Sequence, residues 1–185
     1  MFSCGASPFR LQRHNKAGRQ VIKPLYQSLG YTYDERNVGC HISSNKRVDA
    51  RCRNTAVDHR DEALDITIGC PACASYVTLA AATDCAATTD ALEAAKQKKH
   101  GRAATEAGMQ YVTCALTTYG GWGNQFLKKH VRPTYIRMKE EDKKQGGTGW
   151  EPRRWLQRLL ESMSISVARA NRAMLVERTT PHGVA

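Results

Sequence analysis

Two aspartates, Asp49 and Asp65, have the residue type and the spacing that could support hydrolytic chemistry. Each lies in a short segment of strand-like composition, residues 47–50 and residues 63–68, and a polar loop separates the two segments. Carboxylate oxygens are preferred ligands of Mg²⁺ and Mn²⁺, and such a cation activates water and neutralises the charge that develops on a phosphate during hydrolysis. If the two strands are neighbours, the aspartates can hold one cation, as a metal-dependent phosphodiesterase requires.

Lysines follow the second aspartate after about the length of one helix. Lys96, Lys98 and Lys99 lie on a predicted helix, where one of them could stabilise negative charge or orient the attacking water. The same lysines could equally form a solvated helix face. Three acidic residues of the intervening loop could replace Asp49 as a ligand: Asp58, Asp61 and Glu62.

The chain as a whole is strongly basic. It has 28 Lys and Arg residues against 17 Asp and Glu residues, and its formal net charge is +11. This excess indicates a polyanionic partner, usually nucleic acid or an acidic membrane surface. Of these we expect DNA, or else RNA, and we expect no membrane partner and no small-molecule substrate. A non-catalytic nucleic-acid-binding domain is therefore the alternative to a nuclease. The candidate phosphate contacts are Lys98, Lys128, Lys129, Arg132, Arg137, Lys143, Lys144, Arg153, Arg154 and Arg158.

Seven cysteines, odd in number and irregularly spaced, do not predict a disulfide framework. Cys70 and Cys73 have metal-ligand spacing and Cys85 could be a third ligand, but a second close pair and a suitably placed histidine are missing from the sequence. Zinc is therefore not expected, and a zinc-stabilised interaction module is the third interpretation.

The sequence has neither a membrane-spanning stretch nor a secretory signal at its N-terminus. The most apolar segment, residues 76–87, is too short to cross a bilayer and contains Asp84. We therefore expect an intracellular protein that is not secreted and not membrane-bound.

The elements that must position these residues follow from hydrophobic periodicity. A tail over residues 1–13 precedes a helix near residues 15–29, which contains Pro24 and should therefore be kinked or begin late. The further elements are strands at 31–33, 47–50, 63–68 and 109–119, and helices at 90–107, 124–143 and 151–178. This order predicts an α/β fold with one mixed sheet flanked by helices.

Two strands have more specific expectations. In residues 63–68, Leu64, Ile66 and Ile68 alternate with Asp65 and Thr67. This strand should therefore bury its apolar face and present Asp65 on the other face. Residues 109–119 are apolar on both faces, and we expect this strand to lie centrally in the sheet.

Four motifs within about residues 10–178 are similar to those of a known family. Arg13-His14-Asn15 resembles a basic-His-Asn/Asp motif at the start of a helix, and Val48-Asp49 with Asp65 resembles a Pro-Asp…Asp pair. Residues 94–100 resemble an alanine-rich helix ending in Lys-Tyr, and residues 111–123 resemble the strand and Thr-x-Gly-x-x-Gly turn that follow it. The family is the restriction-like endonuclease region at the C-terminal end of reverse transcriptase polyproteins of site-specific non-LTR retrotransposons.

This resemblance implies a PD-(D/E)xK-type, restriction-endonuclease-like fold that nicks DNA in the nucleus with Mg²⁺ or Mn²⁺. It implies that Asp49 and Asp65 are metal ligands, that Lys96 or Lys99 is the catalytic lysine, and that His14 assists catalysis or binds DNA. Arg13 would contact the DNA.

The resemblance also implies how the chain is divided. Cys4-Gly5 resembles the last ligand of a zinc knuckle that precedes the motif in the family, which suggests a fragment or a degenerate copy, active or decayed. Val48 replaces the usual proline and His100 stands where tyrosine is common. We expect a tail over 1–13, a nuclease-like core over 14–123 and a C-terminal helical extension over 124–185.

Overall fold

The computed structural model describes residues 14–35, 41–43, 46–54, 60–72 and 84–179. The predicted tail, Arg13 and the loop acid Asp58 lie outside the described residues. The strands are β1 (Tyr31–Glu35), β2 (His41–Ser43), β3 (Lys46–Arg47), β4 (Ala50–Asn54), β5 (Glu62–Gly69) and β6 (Gln110–Thr117). The helices are α1 (residues 14–28), α2 (residues 85–106), α3 (residues 124–144) and α4 (Trp150–Thr179).

Four of these strands form one mixed sheet in the order β1-β4-β5-β6. The pairs β1/β4 and β4/β5 are antiparallel, whereas β5 and β6 are parallel and are connected through α2. Strands β2 and β3 form a separate short hairpin. The predicted α/β class, a mixed sheet flanked by helices, is confirmed.

Apolar clusters lie on both faces of the sheet. On one face, Leu64 and Ile66 of β5 pack with side chains from α1, α3 and α4, including Tyr26, Phe126 and Met163. On the other face, a smaller cluster joins Ala63 of β5 and Tyr111 of β6 to Ala103 and Ala104 of α2. The predicted alternation of β5 is thus confirmed, and Asp65 shares the face on which α2 packs.

Strand β6 is buried as expected, but the prediction that it lies centrally was wrong, because it is the outer strand of the described sheet. Its free edge is covered by the turn that follows it. Thr117 N–H donates to the Gly121 carbonyl at 2.8 Å, and Gly123 N–H donates to the Ala115 carbonyl at 2.8 Å. The side-chain carbonyl of Gln125 accepts from Thr113 N–H at 2.8 Å. An apolar edge strand is stable here because neighbouring backbone satisfies it.

Helix α2 begins earlier than predicted. Asp84 is its N-cap and accepts a hydrogen bond from Ala86 N–H at 2.8 Å, so the helix starts at residue 85 and not near residue 90. Each of the first three helices contains one π-helical turn: Gly18–Ile22 in α1, Gln97–Gly101 in α2 and Leu127–Val131 in α3. In α1 this turn ends one residue before Lys23 and Pro24, which occupy the first positions of the next α-helical segment.

The two C-terminal helices agree with prediction to within one residue at each end. The turn between them uses left-handed conformations at Gly146 (φ 74°) and Gly149 (φ 76°). Met163 of α4 belongs to the larger apolar cluster, so this helix is packed onto the sheet. The predicted boundary near residue 123 stays a prediction. Among the described helices, none has the combination of length and apolarity that crossing a bilayer demands.

Candidate active site

Asp49 lies in a bend between β3 and β4, and not in a strand over residues 47–50 as predicted. Its backbone N–H donates to the Leu64 carbonyl at 3.0 Å, and its side-chain Oδ2 accepts from Ile66 N–H at 2.8 Å. The carboxylate thus occupies the place along β5 that a backbone carbonyl would take if β4 began earlier. The strand prediction failed at Asp49 because its side chain, and not a backbone carbonyl, accepts this hydrogen bond from β5. The same hydrogen bond fixes the carboxylate beside β5.

Asp65 lies in the middle of β5 and is 4% exposed. Its Oδ2 is 2.8 Å from Lys96 Nζ and accepts from the Tyr111 hydroxyl at 3.0 Å. His100 Nε2 is 3.7 Å from the same oxygen. The buried carboxylate is therefore held by one ammonium group and one phenol.

Asp49 Oδ2 accepts from the N–H of Ile66, which follows Asp65 in β5, and each of the two carboxyl groups shifts the pKa of the other. Burial, followed by the hydrogen bond and the charge of Asp49, raises the pKa of Asp65 to about 6, although Lys96 opposes this shift. Burial also disfavours the ionised form of Asp49, but the contacts with His14, Asp65 and Ile66 N–H outweigh it and hold the pKa of Asp49 below its usual range. Below about pH 6 the metal-free pair therefore holds a proton.

A hard divalent cation fits this pair. Both donors are carboxylate oxygens, and a cation between them would offset the burial and the like charge of Asp49 that together raise the pKa of Asp65. Within the described ranges, no group of three or more His, Cys, Asp or Glu side chains forms a ready-made metal site. Mg²⁺ is commonly held by one or two carboxylates and completes its shell with waters and substrate phosphates, so the pair is sufficient for it.

His14 is brought to the pair by α1. Its Nε2 is 2.8 Å from Asp49 Oδ2, and both side chains are about one-fifth exposed. The two residues line a small open pocket together with Gly18, Tyr33 and Ile66. The pair is therefore accessible from the Asp49 side and enclosed on the Asp65 side.

The structure separates the two candidate catalytic lysines. Lys96 lies at Asp65, whereas the side chains of Lys98 and Lys99 are exposed to solvent. The geometry thus favours Lys96, and its distance of 31 positions from Asp65 along the chain is bridged by the packing of α2 on the sheet.

Tyr111 and His100 were not among the predicted site residues. In the parallel register Ala63 pairs with Tyr111 and Asp65 pairs with Thr113, so Tyr111 and Asp65 lie on the same face of neighbouring strands. His100 stacks on Tyr111 at 5.9 Å, in the π-helical turn of α2. Burial, followed by the charges of Lys96 and Lys99, lowers the pKa of His100. The alternation of β6 would have pointed to Tyr111 only once its pairing with β5 was known.

The alternative ligands considered from the sequence are engaged elsewhere. Asp61 accepts from Arg51 Nε at 2.7 Å. Glu62 points to the opposite face of β5, where it is buried and accepts from the Tyr26 hydroxyl at 2.9 Å. Neither residue can replace Asp49 beside Asp65.

Lys129, a predicted phosphate contact, lies beside the buried Glu62. Its Nζ is 3.0 Å from Glu62 Oε1, and His130 Nε2 is 3.0 Å from Glu62 Oε2. The charge of Lys129 thus compensates a buried carboxylate. The other candidates of the predicted set have exposed side chains and form no ion pair with Asp49 or Asp65: Lys98, Lys128, Arg132, Arg137, Lys143, Lys144, Arg153, Arg154 and Arg158.

The structure describes only one of the three candidate zinc ligands with its side chain. Cys70 is a buried free thiol, whereas Cys73 and the side chain of Cys85 lie outside the described residues. This alternative stays a prediction.

Comparison of the chain with protein-family models, curated proteins and solved structures gave no match. The chemistry of the site therefore has to be inferred from its own residues.

Proposed function

We propose that this protein is a metal-dependent DNA endonuclease that hydrolyses phosphodiester bonds and nicks its target, like the retrotransposon endonuclease region that its motifs resemble. The observation that supports this proposal is the placement of the Asp49 carboxylate on Ile66 N–H, the residue next to Asp65 in β5, with Lys96 Nζ 2.8 Å from Asp65. Acting on chromosomal DNA, such a nuclease would work in the nucleus.

The residues around the pair have separable roles in this proposal. His14 and Ile66 N–H hold Asp49, whereas Lys96 and Tyr111 hold Asp65, so both carboxylates are fixed before a ligand arrives. A divalent cation bound there would lower the pKa of a coordinated water and neutralise charge on the phosphate. Lys96 is placed to stabilise negative charge on the phosphoryl oxygens or to orient the attacking water.

The small pocket beside Asp49 opens the Asp49 side of the pair to the surface. A DNA phosphate would therefore approach the pair from the side of His14, where His14 and Asp49 are each about one-fifth exposed. The net charge of +11 favours binding of a polyanion before any chemistry occurs.

A non-catalytic nucleic-acid-binding domain is the second candidate function. Each aspartate already has a basic partner within the protein, His14 for Asp49 and Lys96 for Asp65, both at 2.8 Å. Such a network can be stable without a metal, and a decayed copy of a nuclease would retain it.

Nicking of supercoiled plasmid in the presence of Mg²⁺ or Mn²⁺ separates the two functions. We expect the wild type to nick, and Asp65→Asn and Asp49→Asn to be inactive. Asp90→Asn makes the same change at an exposed carboxylate of α2 and should retain activity. If the wild type binds DNA but nicks no faster than Asp65→Asn, the nuclease proposal is wrong and the binding function stands.

A further inference from the structure

Helix α4 carries four arginines on a single exposed face: Arg154, Arg158, Arg169 and Arg172. Their separations of four, eleven and three residues bring them into one stripe at 3.6 residues per turn. At a rise of 1.5 Å per residue the stripe is about 27 Å long. We refer to these four residues as the arginine stripe. Of the predicted pair Arg153 and Arg154, only Arg154 belongs to it.

The opposite face of α4 fixes the direction of the stripe. Met163, Val167 and Ala170 are buried, and Met163 is part of the larger apolar cluster. The helix cannot rotate without exposing these side chains, so the stripe faces solvent.

Most arginines of the stripe form no ion pair within the described part of the chain. Arg154 is 3.9 Å from Glu151, whereas Arg158, Arg169 and Arg172 form no ion pair within the described part of the chain. Glu161 also lies on this side of α4 and accepts a hydrogen bond from the neutral Gln157 at 2.7 Å, so it keeps its negative charge. Four arginines against Glu151 and Glu161 still leave this face with a net positive charge. A row of guanidinium groups on one rigid helix, three of them outside any ion pair of the described residues, is suited to a rigid polyanion.

Exposed apolar side chains lie on the same face. Trp150 is 62% exposed at the start of the helix, and Ile165 is 48% exposed between the two arginine pairs. Such side chains can contact the sugars of a nucleic acid while the arginines bind phosphates.

We propose that the arginine stripe of α4 binds the phosphate backbone of duplex DNA, as a surface separate from the Asp49–Asp65 pair. This inference deepens the proposed function, since it rests on DNA as the substrate and adds the surface that holds it. Arginine keeps its charge at all relevant pH values and its planar fork matches phosphate oxygens. Duplex DNA carries one charge per about 1.7 Å of axis, so phosphates are available along the whole stripe.

An acidic membrane is a poorer partner for the same charges. A helix that lies on a membrane inserts its apolar face between the lipid headgroups. In α4 that face is already buried against the protein through Met163 and Val167. The free side of the helix presents the arginines, and of its described side chains two large apolar ones are exposed, Trp150 and Ile165.

The test compares two sets of four neutralising substitutions. The first set, Arg154→Gln, Arg158→Gln, Arg169→Gln and Arg172→Gln, removes the stripe. The control set, Arg132→Gln, Lys139→Gln, Lys143→Gln and Lys144→Gln, removes the same charge from exposed positions of α3. Binding of a fluorescein-labelled duplex is measured by anisotropy from about 50 to 200 mM salt, the range in which phosphate contacts are most visible. EDTA is present, so that neither metal nor cleavage contributes.

A plot of log affinity against log salt has a negative slope, to which each phosphate contact contributes about 0.9. We expect removal of the stripe to reduce the size of this slope by about 3 to 4. The α3 control should lower it by less than half as much. A wild-type slope in the stripe variant, or an equal loss in the control, would overturn the proposal. Wild-type binding to phosphatidylserine vesicles without binding to the duplex would also overturn it.

Single substitutions keep the test decisive if the fourfold variant does not fold. Arg158→Gln and Arg169→Gln are exposed changes, and each should lower the slope by about 1. If neither does, the stripe does not bind phosphates. Binding is measured in EDTA and nicking is measured separately with Mg²⁺ or Mn²⁺, so the two proposals can fail independently. A protein that binds through the stripe but does not nick would refute only the nuclease proposal.

Discussion

Lys96 Nζ lies 2.8 Å from Asp65 Oδ2, which joins the middle of helix α2 to the middle of strand β5. Asp65 is almost completely buried, and an ionised carboxylate at such a position requires a nearby positive charge. Lys96 provides that charge, and Tyr111 adds a hydrogen bond to the same oxygen. The contact explains how an acidic residue is accommodated in the sheet, and it places a lysine where phosphodiester chemistry would need one.

Lys96→Met should abolish nicking and leave DNA binding nearly unchanged. The substitution keeps the length of the side chain but removes the cation at Asp65, so we expect a rate loss of at least about 10²-fold, the size usual for loss of one electrostatic stabiliser. Unfolding free energy should fall by about 1 to 3 kcal/mol, because a buried carboxylate loses its partner. Plasmid nicking and urea unfolding measure the two effects. Lys99→Met, at an exposed position of the same helix, should behave like the wild type. Equal losses in both variants would contradict the assignment of Lys96.

The metal affinity of the protein should rise with pH around the pKa of Asp65, which is raised to about 6. Below that pKa a proton occupies the carboxyl pair, and a cation must displace it. We therefore expect Mn²⁺ binding, measured by calorimetry, to strengthen between about pH 5 and pH 7 with release of a proton. Asp90→Asn should show the same pH dependence as the wild type, whereas Asp65→Asn should lose it. A pH-independent Mn²⁺ affinity would argue against the carboxyl pair as the site.

The contribution of Asp65 to the stability of the metal-free protein should fall as pH rises, opposite to the trend of the metal affinity. Because the pKa of Asp65 is higher in the folded protein than its usual 3.8, the contribution of Asp65 to stability is fully present below about pH 4 and is lost as pH rises through about 6. Asp65→Asn removes this titration, so the stability of the variant relative to the wild type should increase between those pH values. Urea unfolding in EDTA at several pH values measures the difference. A constant difference would show that Asp65 titrates normally.

Tyr111→Phe should lower the Mn²⁺ affinity of the site without disrupting the fold. The phenol donates to Asp65 Oδ2 at 3.0 Å, and burial raises the pKa of Tyr111 so that the hydroxyl keeps its proton. Removing this single hydrogen bond should cost about 1 kcal/mol of stability and reduce Mn²⁺ affinity several-fold. Tyr119→Phe is the matched control at an exposed tyrosine. Thermal unfolding and metal titration should separate the two variants, and identical behaviour would remove Tyr111 from the site.

Lys129→Met should lower stability and not the salt dependence of DNA binding. Lys129 Nζ is 3.0 Å from the buried Glu62, which would be left with only Tyr26 and His130 as partners. Breaking such a pair costs about 2 to 4 kcal/mol. Lys128→Met changes the adjacent exposed lysine and should leave the unfolding free energy unchanged. If Lys129→Met instead lowered the salt slope at unchanged stability, the residue would be a phosphate contact as the sequence suggested.

Local sequence patterns determined much of this structure. Strand β5 alternates as its residues predict, so the side of the sheet that carries Asp65 could be read from Leu64 and Ile66. Helices α3 and α4 begin and end where periodicity and the glycine-rich turn place them. These features depend on residues that are close together in the chain, and the same is true of the net positive charge.

The tertiary structure decided which residues meet. Asp49 reaches β5 from a bend because its side chain replaces a ladder carbonyl, and this depends on the register of β4 against β5. Lys96 and not Lys99 reaches Asp65 because α2 packs on that face of the sheet, while Tyr111 arrives through the parallel pairing of β6. The cover on the edge of β6 likewise comes from the turn that folds back along it. Residue types and short periodicities therefore established which side chains were available, whereas the site itself arises from pairings between segments up to 46 residues apart, which only the packed sheet specifies.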